Sequence, residues 1–176
     1  MITLAIGLLL PLVGTIVGSA FVFFIKDSIS ARLQKLLLGF ASGVMIAASV
    51  WSLLIPAMDS LSHRGIWAVV PAVVGFLLGM GFLLVLDSIT PHLHIGMQEP
   101  EGPRRPLSRT LMLVLAVTIH NLPEGMAVGV VLGGAEQGVT GLTLASSIAV
   151  SLGIAIQNFP EGAIISMPLH SEGMNK

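Results

Sequence analysis

Five long apolar runs, separated by short polar connections, set the pattern of this chain. They cover about residues 1–25, 36–58, 66–86, 110–132 and 142–169. Each approaches or exceeds the roughly 20 residues that a helix needs to cross the hydrocarbon core of a bilayer. Strands of a membrane barrel would be about 10 residues long and would alternate apolar with polar positions. The runs are too long and too uniformly apolar for that. The pattern predicts an all-α, polytopic transmembrane helix bundle of five spans, forming a single transmembrane domain over residues 1–176. The first run resembles a secretion signal only superficially. No basic residue precedes it, and Lys26 and Arg32 follow it, the reverse of a signal's charge order.

The connections sort by charge. Lys26, Arg32 and Lys35 lie between the first two spans, and Arg104, Arg105 and Arg109 between the third and fourth. The second connection holds only Arg64, and the fourth holds no Lys or Arg. The positive-inside rule then places the N-terminus outside and the long connection 88–109 in the cytoplasm. Trp51 and Trp67 flank the outer turn 59–65, where indole rings suit the headgroup level. Pro91, Pro100, Pro103 and Pro106 make the long connection irregular. His92 and His94 lie in it, with Glu99 and Glu101 nearby. Two readings stand there: loose metal capture, or a solvated loop with two incidental histidines.

Composition narrows the class further. Hydrophobic residues make up 54% and charged residues 10%, where a soluble domain carries about 25% charged. A water-soluble globule and a disordered chain are both excluded. Net charge is −1 and the few cations form no basic face, so no nucleic-acid partner is expected. The absence of cysteine excludes disulfides, thiolate metal sites and cysteine nucleophiles. Glycines four apart at 14/18, 39/43, 75/79 and 125/129 point to close helix packing. That packing lies within one chain or between copies, so a homodimer is one expected assembly.

Polar residues interrupt the last two spans. The fourth reads His120-Asn121-Leu122-Pro123-Glu124-Gly125 and the fifth Gln157-Asn158-Phe159-Pro160-Glu161-Gly162. The pattern [HQ]-N-x-P-E-G thus occurs twice, 37 residues apart. A charged carboxylate at the centre of a membrane helix costs about 2.5–3.5 kcal/mol on insertion scales. Protonation, hydrogen bonding or a bound cation would offset it. Spacing favours a cation, because positions four apart project from one helical face. His120 with Glu124, and Gln157 with Glu161, are such pairs, flanked by Asn121 and Asn158. The prolines also free the carbonyls of Ile119 and Ile156, which lose their helical N–H partner. Imidazole with carboxylate and amide oxygen, without thiolate, suits Zn2+, Fe2+ or Mn2+. Hydrogen bonding between helices is the bland alternative, and two matched motifs weigh against it. In the second span, Ser42, Met45, Ser49, Ser52 and Pro56 recur at spacings of three and four. That face either lines a hydrated path, with Met45 a soft ligand, or packs small residues around a methionine.

The paired signatures, with Gly39–Ala57 as a second-span match, resemble the ZIP family of metal transporters (zinc/iron-regulated transporter-like proteins). The bacterial branch, with glutamine opening the second signature, is the most similar. The resemblance implies a transport site, often binuclear, held by His120, Asn121, Glu124, Gln157, Asn158 and Glu161. It also implies a Met45 ligand and Asp59 as an acid at the pore mouth. It implies eight spans in a 3+2+3 plan, so the C-terminal three spans are expected to be lacking here.

The expected function is transport of a divalent transition-metal cation towards the cytoplasm. Zn2+ is foremost, with Fe2+, Mn2+ and Cd2+ as further cargoes. Ser42, Ser49 and Ser52 would line part of the route, and rocking of helix groups would alternate access. The cation is substrate, no cofactor is expected, and the protein is expected not to be an enzyme. Its place is the inner or plasma membrane as a multi-pass protein. Two rivals remain: an intramembrane metal-dependent hydrolase, although H-E-x-x-H is absent, and a non-transporting metal-binding or assembly subunit.

Overall fold

A computed structural model describes residues 2–20, 23, 30–93 and 99–171. All its regular elements are helical. They are α1 (Ile2–Ala20), α2 (Ala31–Ala47), α3 (Ile55–Asp59), α4 (Val69–Ile89), α5 (Arg109–Glu136) and α6 (Leu144–Ser171). A π-helical segment, Ala48–Leu54, joins α2 to α3, and a 3-10 segment, Ser62–Ala68, leads into α4. Among the described residues, four stretches are long and apolar enough to cross a membrane: Ile2–Ala20, Lys35–Asp59, Ser62–Ile89 and Arg109–Glu136. The 28 residues of α6 rise about 42 Å at 1.5 Å each, also enough for a crossing.

Local chemistry explains the helix ends. Ser30 accepts from Leu33 N–H, and Ser108 from Leu111 N–H, each capping a helix start. At α6 the exchange is reciprocal. Thr143 Oγ1 accepts from Ser146 N–H and Ser146 Oγ from Thr143 N–H, both at 3.0 Å. This is a capping box with serine in the usual acid's place. The end of α5 is a Schellman turn. Val139 N–H reaches back to Gly134 O, Gly138 N–H to Ala135 O, and Gly138 takes φ +72°.

The π segment precedes a proline for a physical reason. Pro56 has no N–H, and its ring crowds the carbonyl four residues earlier. The turn ahead of it widens, and Ile55 N–H bonds Val50 O, five residues back.

The chain divides into two compact units, one of residues 1–56 and 125–176, the other of 57–124. Both crossings fall beside a proline, Pro56 and Pro123.

In the first unit α1 lies along α6. A Cβ on Gly14 would strike the Ala155 carbonyl, one on Gly18 the Phe159 carbonyl, and one on Gly7 the Leu132 side chain beside Ile148. Partners therefore rise in step, so α1 and α6 run parallel, as first and fifth crossings must. Against α6 the second span runs the other way. A Cβ on Gly153 would sit 3.3 Å from Val44 Cγ1, and one on Gly141 the same distance from Pro56 Cβ. The core is Val128, Leu132 and Ile154, with Leu4, Ile148 and Val150 against it. Ser147 Oγ, fully buried, donates to Val131 O at 2.8 Å across the α5–α6 contact.

In the second unit α4 buries only Ala72, and its valines, leucines and phenylalanines are largely exposed. An all-apolar exposed helix is stable in lipid, where its backbone polar groups are satisfied internally. The connection after α4 is irregular, as expected, but its start is not solvated. His92 and Leu93 are each 1% exposed, and Leu93 N–H donates to Met112 O on α5 at 3.2 Å. The reading of His92 as an incidental loop histidine in water is corrected by this burial.

Candidate metal centre

Both motifs sit inside unbroken helices. α5 continues through Pro123 and α6 through Pro160, which leaves the Ile119 and Ile156 carbonyls without their helical donors. His120, Asn121 and Glu124 belong to the unit 57–124, and Gln157, Asn158 and Glu161 to the other.

On α5, Glu124 is buried, 6% exposed, although it is an acid in an apolar helix. His120 is exposed, and its Nδ1 lies 2.7 Å from Ala116 O, one turn earlier. An imidazole Nδ1–H held by a backbone carbonyl leaves Nε2 with the lone pair, the tautomer a metal requires. The side-chain oxygen of Asn121 is buried with no hydrogen-bond donor in reach among the described residues.

On α6, Gln157 is 0% and Asn158 3% exposed. Glu161 is half-buried. The side-chain oxygen of Asn158 repeats the state of Asn121, buried and without a donor among the described residues. Gly162 closes the motif against α1: a Cβ there would collide with Thr15 O and come within 2.9 Å of Ser19 N. Ser19 Oγ donates to Gly162 O at 3.4 Å. The last glycine of the second motif is thus a packing residue.

The second-span residues divide. Met45 is 42% exposed at the end of α2. Ser42 Oγ donates to Leu38 O and Ser49 Oγ to Met45 O, each four residues back. Such bonds occupy the hydroxyl protons within the helix itself. Ser52 is half-buried. Ser49 and Ser52 fall in the π segment. Asp59 is exposed at the C-terminus of α3.

In the long connection His94 lies outside the described residues, and Glu99 is exposed. His92 is gathered instead with Asp87 and Glu101, donor atoms of the three lying within 4.8 Å of one another. Asp87 escaped notice in the sequence. Its signal was an acid in the last turn of an otherwise apolar helix.

No family model matches the chain. Individual proteins do. The zinc transporter ZIPB of Bordetella bronchiseptica is 42% identical over 128 residues, covering 70% of this chain and 40% of its own. The zinc transporter ZIP11 of Homo sapiens is 31% identical, covering 92% of this chain and 69% of its own. The zinc transporter GufA of Myxococcus xanthus is 35% identical, with 92% and 63% covered. The chain thus spans roughly 40–70% of the length of these curated relatives.

Proposed function

Because this chain belongs to the ZIP family of metal transporters, we propose that it carries a divalent transition-metal cation, Zn2+ foremost, across the membrane at a site shared by the motifs of α5 and α6. Glu124 and Glu161 neutralise the ion, and His120, Asn121, Gln157 and Asn158 complete its coordination. Met45 adds a thioether. Asp59 gathers cations at the outer mouth, and Ser42, Ser49 and Ser52 line part of the route. The N-terminus lies outside, and flux runs towards the cytoplasm through the inner or plasma membrane. Fe2+, Mn2+ and Cd2+ fit the same donors less selectively. The cation is cargo, and the protein is not an enzyme.

One observation carries this reading. Asn121 and Asn158, at matching places in the two motifs, each hold a buried oxygen with no donor among the described residues. Each such oxygen costs about 1–3 kcal/mol. A cation beside the neighbouring glutamate supplies the missing partner and offsets the carboxylate's own insertion cost. Alternating exposure of such a site follows from rocking one helix group against another.

The test is 65Zn2+ binding and flux with the protein in liposomes. Glu124→Gln and Glu161→Gln, each isosteric, are expected to weaken Zn2+ binding at least about 10-fold and to stop flux. Unchanged affinity in either variant rejects the site. Zn2+-dependent cleavage of added peptide would favour the hydrolase, and binding without flux the metal-binding subunit.

A further inference from the structure

The connection from α3 to α4 leaves its largest apolar side chains uncovered and its only Arg or Lys outside any ion pair. We propose that Arg64, Ile66 and Trp67 form a membrane-surface anchor whose partner is a phospholipid headgroup. Arg64 holds the phosphate, and the two apolar side chains sit at the acyl boundary beneath it. All three residues lie in the unit 57–124, and none is among the proposed metal ligands.

Length places the segment. The 21 residues of α4 rise about 31 Å at 1.5 Å each. The hydrocarbon core is about 30 Å thick, so α4 alone fills it. The 3-10 segment Ser62–Ala68, which leads into α4, then falls in the headgroup layer, about 5–7 Å deep on each side. Upright, such a segment would stand about 14 Å tall at 2.0 Å per residue, twice that depth. Gly65 breaks the run at φ 60° and ψ −133°. Glycine adopts that backbone freely where other residues do not, and the chain can bend there into the plane of the surface.

Chemistry divides at the same glycine. Ser62, His63 and Arg64 precede it, and Ile66, Trp67 and Ala68 follow it. Ile66 is 84% and Trp67 70% exposed, while the small Ala68 is buried. Two adjacent side chains of that size are unfavourable in water. At the edge of the hydrocarbon core the indole ring has apolar contact on one side and a polar partner for its N–H on the other. Arg64 is exposed and makes no ion pair among the described residues. No other Lys, Arg, Asp or Glu lies between Asp59 and Asp87. Its guanidinium presents a fork of donors that matches two oxygens of a phosphodiester. Its stem can lie along apolar surface while the head reaches the phosphate. A phospholipid meets both demands within a few ångströms of depth.

The test uses the full chain in liposomes. Trp51→Phe leaves Trp67 as the one tryptophan. Lipids brominated near the top of the acyl chain should quench its fluorescence more than lipids brominated near the end, and acrylamide in the water should quench it little. Hydrogen exchange at the Ile66 and Trp67 amides should be about 5-fold slower in phosphatidylglycerol than in digalactosyldiacylglycerol, which has no phosphate, as for one basic side chain at an anionic surface. Arg64→Gln should abolish that difference without changing the circular dichroism. Inorganic phosphate added to the galactolipid liposomes should not restore it. Equal exchange in the two lipids overturns the proposal, as does a difference that survives Arg64→Gln. Restoration by inorganic phosphate overturns it in favour of a free-anion site. Strong quenching by acrylamide would put Trp67 in water, and quenching by neither agent would put it under a protein surface such as a second copy. Either result also overturns the proposal.

Discussion

The two motifs read almost letter for letter alike, yet α5 and α6 surround them differently. On α6 the opening Gln157 is wholly buried, and the closing Gly162 is pressed against the α1 backbone. On α5 the opening His120 is exposed, and Gly125 has open space where a Cβ would go. A repeat in sequence therefore does not make a repeat in environment. The donors match, Asn with Asn and Glu with Glu, while the small residue answers to whichever helix lies alongside. In α6 one face of the motif packs against α1. In α5 the glycine has no such neighbour.

The strongest way to test this contrast is to add one methyl group to each motif. Gly162→Ala forces Cβ onto backbone atoms of α1 that have no room to yield, and is expected to cost about 1–3 kcal/mol of stability. Gly125→Ala meets nothing and should be neutral or slightly stabilising, since alanine gains up to about 1 kcal/mol over glycine within a helix. Denaturation of both variants in detergent micelles, followed by circular dichroism, checks the pair. Equal effects would erase the contrast.

Next in size is the exchange of the first motif's opener for that of the second. His120→Gln gives both motifs the same first letter and removes the only imidazole among the proposed donors. Zn2+ affinity is expected to fall about 10-fold, read by isothermal titration. No change would mean that the exposed ring of His120 stays outside the coordination sphere. Met45→Ala should weaken Cd2+ binding more than Mn2+ binding, because a thioether prefers the softer ion. Equal losses would return Met45 to packing.

The smallest expected effect concerns the hydroxyls. Ser147→Ala deletes a hydrogen bond between helices, worth about 0.6 kcal/mol in membrane proteins. Thr118→Ala deletes only the bond from Thr118 Oγ1 to Val114 O in its own helix, and should be silent in the same unfolding measurement.

The helices were legible because apolar length is a direct signal. The run expected at 110–132 is a helix from Arg109 to Glu136, and the run at 66–86 becomes the helix Val69–Ile89. The ends moved by a few residues, since caps decide them: Ser108 starts α5 at Arg109, and Thr143 starts α6 at Leu144, two residues later than the apolar run. The motif was legible from spacing alone. What surrounds each copy was not, because the contact of Gly162 with Thr15 and Ser19 joins residues more than 140 positions apart. The same holds for His92. Its proline-rich neighbourhood reads as solvated loop, and only the contact of Leu93 with Met112 shows that the segment turns inward. The π segment left no periodic signal at all. The serines and Met45 of the second span still fall at intervals of three and four, and Pro56 was the single hint.

That segment bears on chain length. A ring closed five residues back encloses one residue more than the α-helical ring. The stretch Ala48–Leu54 therefore behaves as a helix holding a surplus position, tucked ahead of Pro56. Removal of one residue there lets the backbone return to α-helical pairing, whereas removal within α2 or α4 rotates everything downstream by about 100°. The second span can thus shrink by a single residue while the phase between its two ends is absorbed locally.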